Sequence, residues 1–450
     1  MLTEAIDRYH EILERGHCAA DSQSQLDSLQ SLRGLAFGTR PLCTVLRPRF
    51  LTPGQYRFLQ DRVKVLLPAL KTVYDRALAD SAFRQQLGLR EWEDELLAID
   101  PGFEYPSPAA RFDSFFVTER ELKFTEFNAE STAGAGYTDA LADVFQGMPV
   151  FQEFQREYTA LAVPCMQGVA HTLLDAFRQW RGTNNEAPRI AILDWREVPT
   201  FSEFVLFRDY FQSMGLEVRI VDPREVEYTD GKLLAGNYHI TLVYKRVLTG
   251  ELIKRGSLDH PLVRAVRDGA VCMASSFRGK ILCKKACFAL LSDDANAQMF
   301  TTEQRTAIAD HIPWTRVVKE CKTTIDGKPI ELIPFVLDNK DRLVLKPNDD
   351  YGGKGITLGW TADDSTWEQA VRGALAEPYI VQQKVSLPYE LFPSIENGKL
   401  ELIPRMLDTN PFVAYGTEMY GCLTRISTEA LLNVTAGGGS TVPTFLLEKR

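Results

Sequence analysis

A lysine at the end of a strand, four residues before the start of a glycine-rich loop, is the strongest constraint on this chain; the segment, residues 342–360, reads RLVLKPNDDYGGKGITLGW. Leu343, Val344 and Leu345 have the apolar, partly β-branched character of a buried strand. Lys346 leaves that strand toward the loop, and Pro347 cannot extend a ladder, so a turn must follow. Gly352, Gly353 and Gly355 free the backbone to take positive φ and to bring successive N–H groups against phosphate oxygens. Lys346 and Lys354 would add point charges to the same polyanion. The spacing is not GxxxxGK[ST], and the strand-to-helix setting of a dinucleotide fingerprint is missing. A β-hairpin with a polar glycine turn accounts for this segment equally well, so other segments must decide.

A chain of 450 residues predicts two or three packed units. Its 45% hydrophobic and 25% charged residues are ordinary globular values. A net charge of −9 and a pI near 5.4 argue against nucleic acid or an anionic membrane as the main partner. Basic residues still cluster between Lys245 and Lys285, as a solvated face or as the lining of an anion site. The eight cysteines show no zinc spacing and predict reduced thiols, with Cys283 and Cys287 packed in a core. The N-terminal segment reads as an amphipathic helix and not as a signal peptide, and no apolar run nears the roughly 20 residues of a membrane span. A soluble cytoplasmic protein is the expectation.

Residues 1–100 predict a mostly helical region, its longest helix opened by Thr52 as N-cap and Pro53, with Tyr56, Leu59, Val63, Leu66 and Leu67 on one face. Residues 101–188 predict strands at 114–117 and 122–127, then a helical stretch over 137–180. Residues 189–274 predict a small doubly wound parallel-sheet domain, with strands at 189–194, 217–221 and 240–244 around a helix at 202–214. It has no GxGxxG and so is not read as a dinucleotide site. Residues 275–450 predict strands at 343–346, 356–360, 379–382 and 402–405, a helix at 365–376 and a second glycine loop at 436–440. The fold class is α/β with α+β character.

The chemistry concentrates in two strands. Arg111 and Asp113 share one strand face. Glu126 and Asn128 share another, as an E-x-N pair whose hard oxygens lie about 6 to 7 Å apart, close enough to hold magnesium together with phosphate oxygens. An exposed polar strand end is the alternative. The loop 131–136, opened by Ser131, is placed to close over a substrate.

Taken in order, these motifs resemble the circularly permuted ATP-grasp carboxylate–amine ligases, which include eukaryotic-type glutathione synthetase, and more loosely the ligase half of glutathionylspermidine synthase. In ordinary ATP-grasp enzymes the E-x-N pair follows the nucleotide lysines; here it precedes them. The resemblance spans about residues 111–443 and implies an ATP-grasp fold in permuted order. Residues 101–188 would form its first segment, 189–274 a substrate-binding domain and 275–450 the nucleotide lobes and lid. It implies magnesium bound by Glu126, Asn128 and Asp350, and ATP phosphates held by Lys346 and by Lys284 or Lys285. Gly352, Gly353 and Gly355, with Lys354, would cover the β- and γ-phosphates. Gln382, Gln383, Lys384 and Val385 would belong to the hinge that meets the adenine. Arg111 and Arg425 would bind substrate at the catalytic centre, with Ser131, Gly437 and Gly438 nearby. The lid has Asn433, Val434 and Thr435 where glutathione synthetases place an acidic lead-in, so glutathione as product does not follow.

The implied activity is ATP-dependent joining of a carboxylate to an amine through an acyl phosphate, with release of ADP and phosphate. The implied substrates are amino acids, peptides or polyamines, with neither nucleic acid nor membrane as partner and a homodimer left open. A non-catalytic nucleotide-binding protein and a small-molecule kinase are the rival readings.

Overall fold

A computed structural model describes residues 1–350, 352–429 and 439–450. Three sheets position the site. The largest is antiparallel and runs in the order Tyr389–Glu396, Lys399–Leu407, Glu418–Ser427, Asn410–Ala414, Ala109–Thr118, Glu121–Asn128, with Gly439–Val442 also paired to Glu418–Ser427. A second antiparallel sheet holds the lysine strand Leu343–Pro347 between Tyr379–Gln383 and the short Thr357–Leu358. The third is parallel, in the order Cys272–Ala274, Leu242–Lys245, Arg189–Leu193, Glu217–Val221. Its strands are apolar on both faces: Ile190 and Ile192 pack into one core, Ala191 and Leu193 into another. A parallel sheet needs such cover on both sides.

The long helix Pro53–Ala79 begins with a capping box. The Thr52 hydroxyl accepts from the Gln55 amide at 3.1 Å, and the Gln55 side chain accepts from the Thr52 amide at 3.0 Å. Its apolar face, from Tyr56 to Ala77, shares one core with Phe112 and Phe124 of the two chemistry-bearing strands and with Ala286, Cys287 and Phe288 of the helix Ala286–Leu291. Cys287 is buried there and Cys283 packs against it, as core thiols.

Several local expectations change. The stretch 137–180 is broken by the strand Tyr158–Ala162, which pairs with Thr444–Lys449, which in turn pairs with Arg49–Leu51. Those partners lie hundreds of residues apart, so no local pattern announced the sheet. The expected strand 240–244 divides at Thr241: Tyr238–Ile240 joins a separate antiparallel sheet with Val226–Thr229 and Lys232–Ala235, and Leu242–Lys245 enters the parallel one. The expected strand 356–360 shortens to Thr357–Leu358 because only two residues find partners on the lysine strand. Within the basic stretch, Lys245, Arg246, Lys280, Lys284 and Lys285 are buried and ion-paired, so these five are no solvated face. Among the described residues, no helix is long and apolar enough to cross a membrane.

Candidate functional site

The strands Ala109–Thr118 and Glu121–Asn128 pair with Arg111 opposite Asn128 and Asp113 opposite Glu126, so all four side chains lie on one sheet face, the candidate cleft. Asp113 is the hub. Its Oδ1 accepts from Arg111 Nε at 2.9 Å and from Asn128 Nδ2 at 2.9 Å, and its Oδ2 accepts from Arg425 Nη2 at 2.7 Å. Burial works to raise the Asp113 carboxyl, but Arg111 and Arg425 outweigh it and hold the group at about 2. Arg425 also grips Asp408, with Nε 2.7 Å from Oδ2. Arg111 donates to the Ala133 carbonyl at 2.7 Å, which ties the strand to the loop that follows the E-x-N pair.

That loop is pinned from the parallel-sheet side. Ser131 Oγ donates to the Arg246 carbonyl at 2.6 Å. Glu203, fully buried, accepts from the amides of Gly134 at 2.7 Å and Gly136 at 3.1 Å, and pairs with Arg246 at 2.8 Å.

Lys346 lies across the cleft. Its Nζ donates to Gln382 Oε1 at 2.7 Å, and Gln382, itself buried, donates to Thr315 Oγ1 at 3.0 Å. Among the described residues Lys346 makes no ion pair. Burial pushes its ammonium down to about 8, with the Glu126 charge opposing that shift and the Lys285 charge adding to it.

The adjacent lysines part company. Lys285 Nζ lies 3.2 Å from Glu126 Oε1 and donates to the Asp350 carbonyl at 2.8 Å. Lys284 turns the other way, 2.8 Å from Glu93 and 2.9 Å from Asp349. Asp350 is exposed and meets the cleft through its backbone. Gly352, Gly353 and Gly355 take φ of +66°, +75° and +68°, which side chains disfavour. A Cβ at Gly355 would sit 2.7 Å from Pro347 Cγ. Lys354 is exposed in the same turn. Farther along, Gln383 donates its amide to the Trp314 carbonyl at 2.8 Å, Val385 lies just past that strand, and Lys384 Nζ sits 4.4 Å from the centre of the Trp360 ring. Gly437 and Gly438 lie outside the described residues.

The structure thus gathers Arg111, Glu126, Asn128, Lys285, Lys346 and Arg425 at one cleft and sends Lys284 behind it. Asp408 is an addition, and Gln382, expected in the hinge that meets the adenine, also holds Lys346 through its side chain. Asp113 could have been read as a partner from its alternation with Arg111, whereas Asp408 carries no local signal. The residues present fit a nucleotide with its metal: a half-buried ammonium with no ion pair among the described residues lies near a half-buried carboxylate and amide, next to a turn of positive-φ glycines.

Superposition on a glutathione synthetase-like effector from Globodera pallida, solved in its apo form, covers 97% of this chain and 99% of that one, with a TM-score of 0.62 and 12% identity. The chain has the glutathione synthetase-like fold. The expected ATP-grasp-type α/β architecture therefore holds. No family model matches the sequence. A Frankia casuarinae protein named "Putative glutamate–cysteine ligase 2-2" is 30% identical over 234 residues, which are 49% of this chain and 25% of that protein. A second relative of that description, from Frankia alni, is matched over 23% of its length, so the chain spans about a quarter of these relatives. Uncharacterized proteins of Mycobacterium leprae and Mycobacterium tuberculosis are 23% identical over 428 and 432 residues, 89% of this chain and 72% and 73% of theirs. The glutathione synthetase-like fold thus covers nearly the whole chain.

Proposed function

We propose that this chain is an ATP- and magnesium-dependent ligase that joins a small-molecule carboxylate to an amine, with its ATP-grasp segments in permuted order. The observation that carries this reading is Lys346, half-buried, with no ion pair among the described residues, and set beside Lys285 and the Glu126–Asn128 pair at the root of a glycine turn. The fold and the ligase names of two partial relatives support it.

When bound, ATP supplies the phosphoryl group that activates the carboxylate as an acyl phosphate, and magnesium spreads the charge on the transferring group. Lys346, oriented by Gln382, and Lys285, oriented by Glu126, would hold the phosphates. Glu126 and Asn128 would ligate the metal, Asn128 through its oxygen because its Nδ2 is spent on Asp113, and Asp350 would join from the loop. Gly352, Gly353 and Gly355 would offer backbone N–H groups. Arg111 and Arg425, oriented by Asp113 and Asp408, would bind the substrate carboxylate with the N–H groups left to them. The segment 131–134 and the glycine turn 352–356 would exclude water from the activated acid until the amine attacks. The acid and the amine would be amino acids, peptides or polyamines.

The test is ADP release against panels of amino acids, small peptides and amines, with amide product measured in parallel. Release that requires both an acid and an amine, with one amide per ADP, is expected. Release with an acid or alcohol alone and a phosphorylated product would make the protein a kinase; nucleotide binding without release would make it non-catalytic.

A further inference from the structure

Behind the cleft, charged side chains from five separate segments meet in one buried cluster. Lys280 and Lys284 come from the helix Gly279–Cys283 and the residue after it, Glu93 from the helix Glu91–Leu97, and Lys245 from the end of a parallel strand. Glu130 stands two residues past Asn128, and Asp349 three past Lys346. Lys280 Nζ lies 2.9 Å from both Asp349 oxygens and 3.0 Å from Glu130. Lys284 Nζ lies 2.9 Å from Asp349 and 2.8 Å from Glu93, and Lys245 Nζ lies 3.3 Å from Glu130. Glu130 also accepts from the Thr249 amide.

All of these residues are at most 6% exposed except Asp349, whose side chain is 32% exposed. Three lysines face three carboxylates, so the cluster is neutral only while Asp349 stays in it. Glu130 and Asp349 approach Cys283 closely enough to hold a cation, but the ammonium groups already balance both carboxylates, which leaves no charge for a metal. Lys285 makes a parallel tie nearer the cleft, from Glu126 to the Asp350 carbonyl. The root of the glycine loop is therefore fastened twice to the strand that bears the E-x-N pair.

We propose that Lys280, Lys284 and Asp349 form a buried clamp that fixes the root of the glycine-rich loop against the E-x-N strand, so that phosphate loop and metal pair are in register before nucleotide arrives. Asp349 is in this view a positioning residue. The proposal rests on reading the cleft as a nucleotide site. Loss of the Asp349 charge leaves Lys284 with Glu93 and makes Lys245 and Lys280 share Glu130, so the cluster keeps one ammonium in excess while the loop loses its anchor.

The experiment compares the wild type with Asp349→Asn and Asp349→Glu in two assays: magnesium-ATP affinity by calorimetric titration, and the rate of tryptic cleavage after Lys354 without nucleotide. Asp349→Asn is expected to bind about tenfold more weakly, within the usual range for coupled sites. It should also be cut several times faster after Lys354 at a temperature well below its melting transition, which the unbalanced ammonium lowers. Asp349→Glu, which keeps the charge but displaces it by one methylene, should show the same changes at smaller size and carries the comparison if Asp349→Asn does not fold. Wild-type affinity and wild-type cleavage in these variants would overturn the clamp. If the wild type binds no nucleotide, the reading of the cleft fails, and cleavage alone then decides: faster cutting upholds the clamp and equal rates overturn it.

Discussion

Two residues set the pH behaviour of the site. Asp113 is held at about 2, below its ordinary 3.8. A carboxyl depressed on folding contributes stability that is fully present above the unfolded value and lost as pH falls through the folded one. Acid unfolding followed by circular dichroism is therefore expected to draw on Asp113 between about pH 4 and pH 2, and Asp113→Asn should flatten that part of the curve. At neutral pH the same variant leaves Arg111 and Arg425 short of their shared partner, and a loss of roughly 2 kcal/mol in urea unfolding is expected. Lys346 runs the other way. Its ammonium is destabilised by burial and loses its proton near 8, so magnesium-ATP affinity should fall as pH rises through about 8. Lys346→Arg, charged at every accessible pH, should remove that step. Lys346→Ala and Glu126→Ala should each lower ADP release by at least about a hundredfold, the scale of a lost electrostatic contact in a transition state; full activity in Glu126→Ala would end its assignment to the metal.

Among the elements, the turn after the lysine strand carries the sharpest expectation. Gly355 combines a φ of +68° with a Cβ position 2.7 Å from Pro347 Cγ and 2.9 Å from Tyr379 Oη. Alanine there must shift the turn against the strand it leaves, at a strain of about 1–3 kcal/mol. Because the turn is largely exposed, Gly355→Ala is expected to weaken magnesium-ATP binding while changing the melting temperature little, and an unchanged dissociation constant would separate the turn from nucleotide binding. This element was legible in advance: Leu343 to Leu345, Lys346, Pro347 and three glycines spell strand, exit and turn with no help from the rest of the chain. The capping box of Thr52 and Gln55 was legible in half, since Thr52 and Pro53 announce the helix start. The strand Tyr158–Ala162 was not, because it exists only through pairing with Thr444–Lys449.

For the whole molecule, the site joins segments far apart in the chain: Arg425 reaches Asp113, Lys285 reaches Glu126, and Gln382 holds Lys346. Nucleotide binding should therefore stabilise the molecule as a unit. Magnesium-ATP at about 100 times its dissociation constant adds roughly 2.7 kcal/mol, and a single thermal transition moving upward is expected, with the shift lost in Lys346→Ala. No shift in the wild type would leave the cleft without its proposed ligand.

What the sequence determined by itself was local. The alternation of Arg111 with Asp113 and of Glu126 with Asn128 and the lysine before its glycine turn depend on backbone period and on φ, both of which neighbouring residues fix, and the order of these motifs is the chain itself. Only the tertiary structure set Lys285, and not Lys284, beside the E-x-N pair. The two are adjacent and alike in sequence, but one is neutralised from behind by Glu93 and Asp349 and the other faces Glu126, and those charges reach the pair only when distant elements pack.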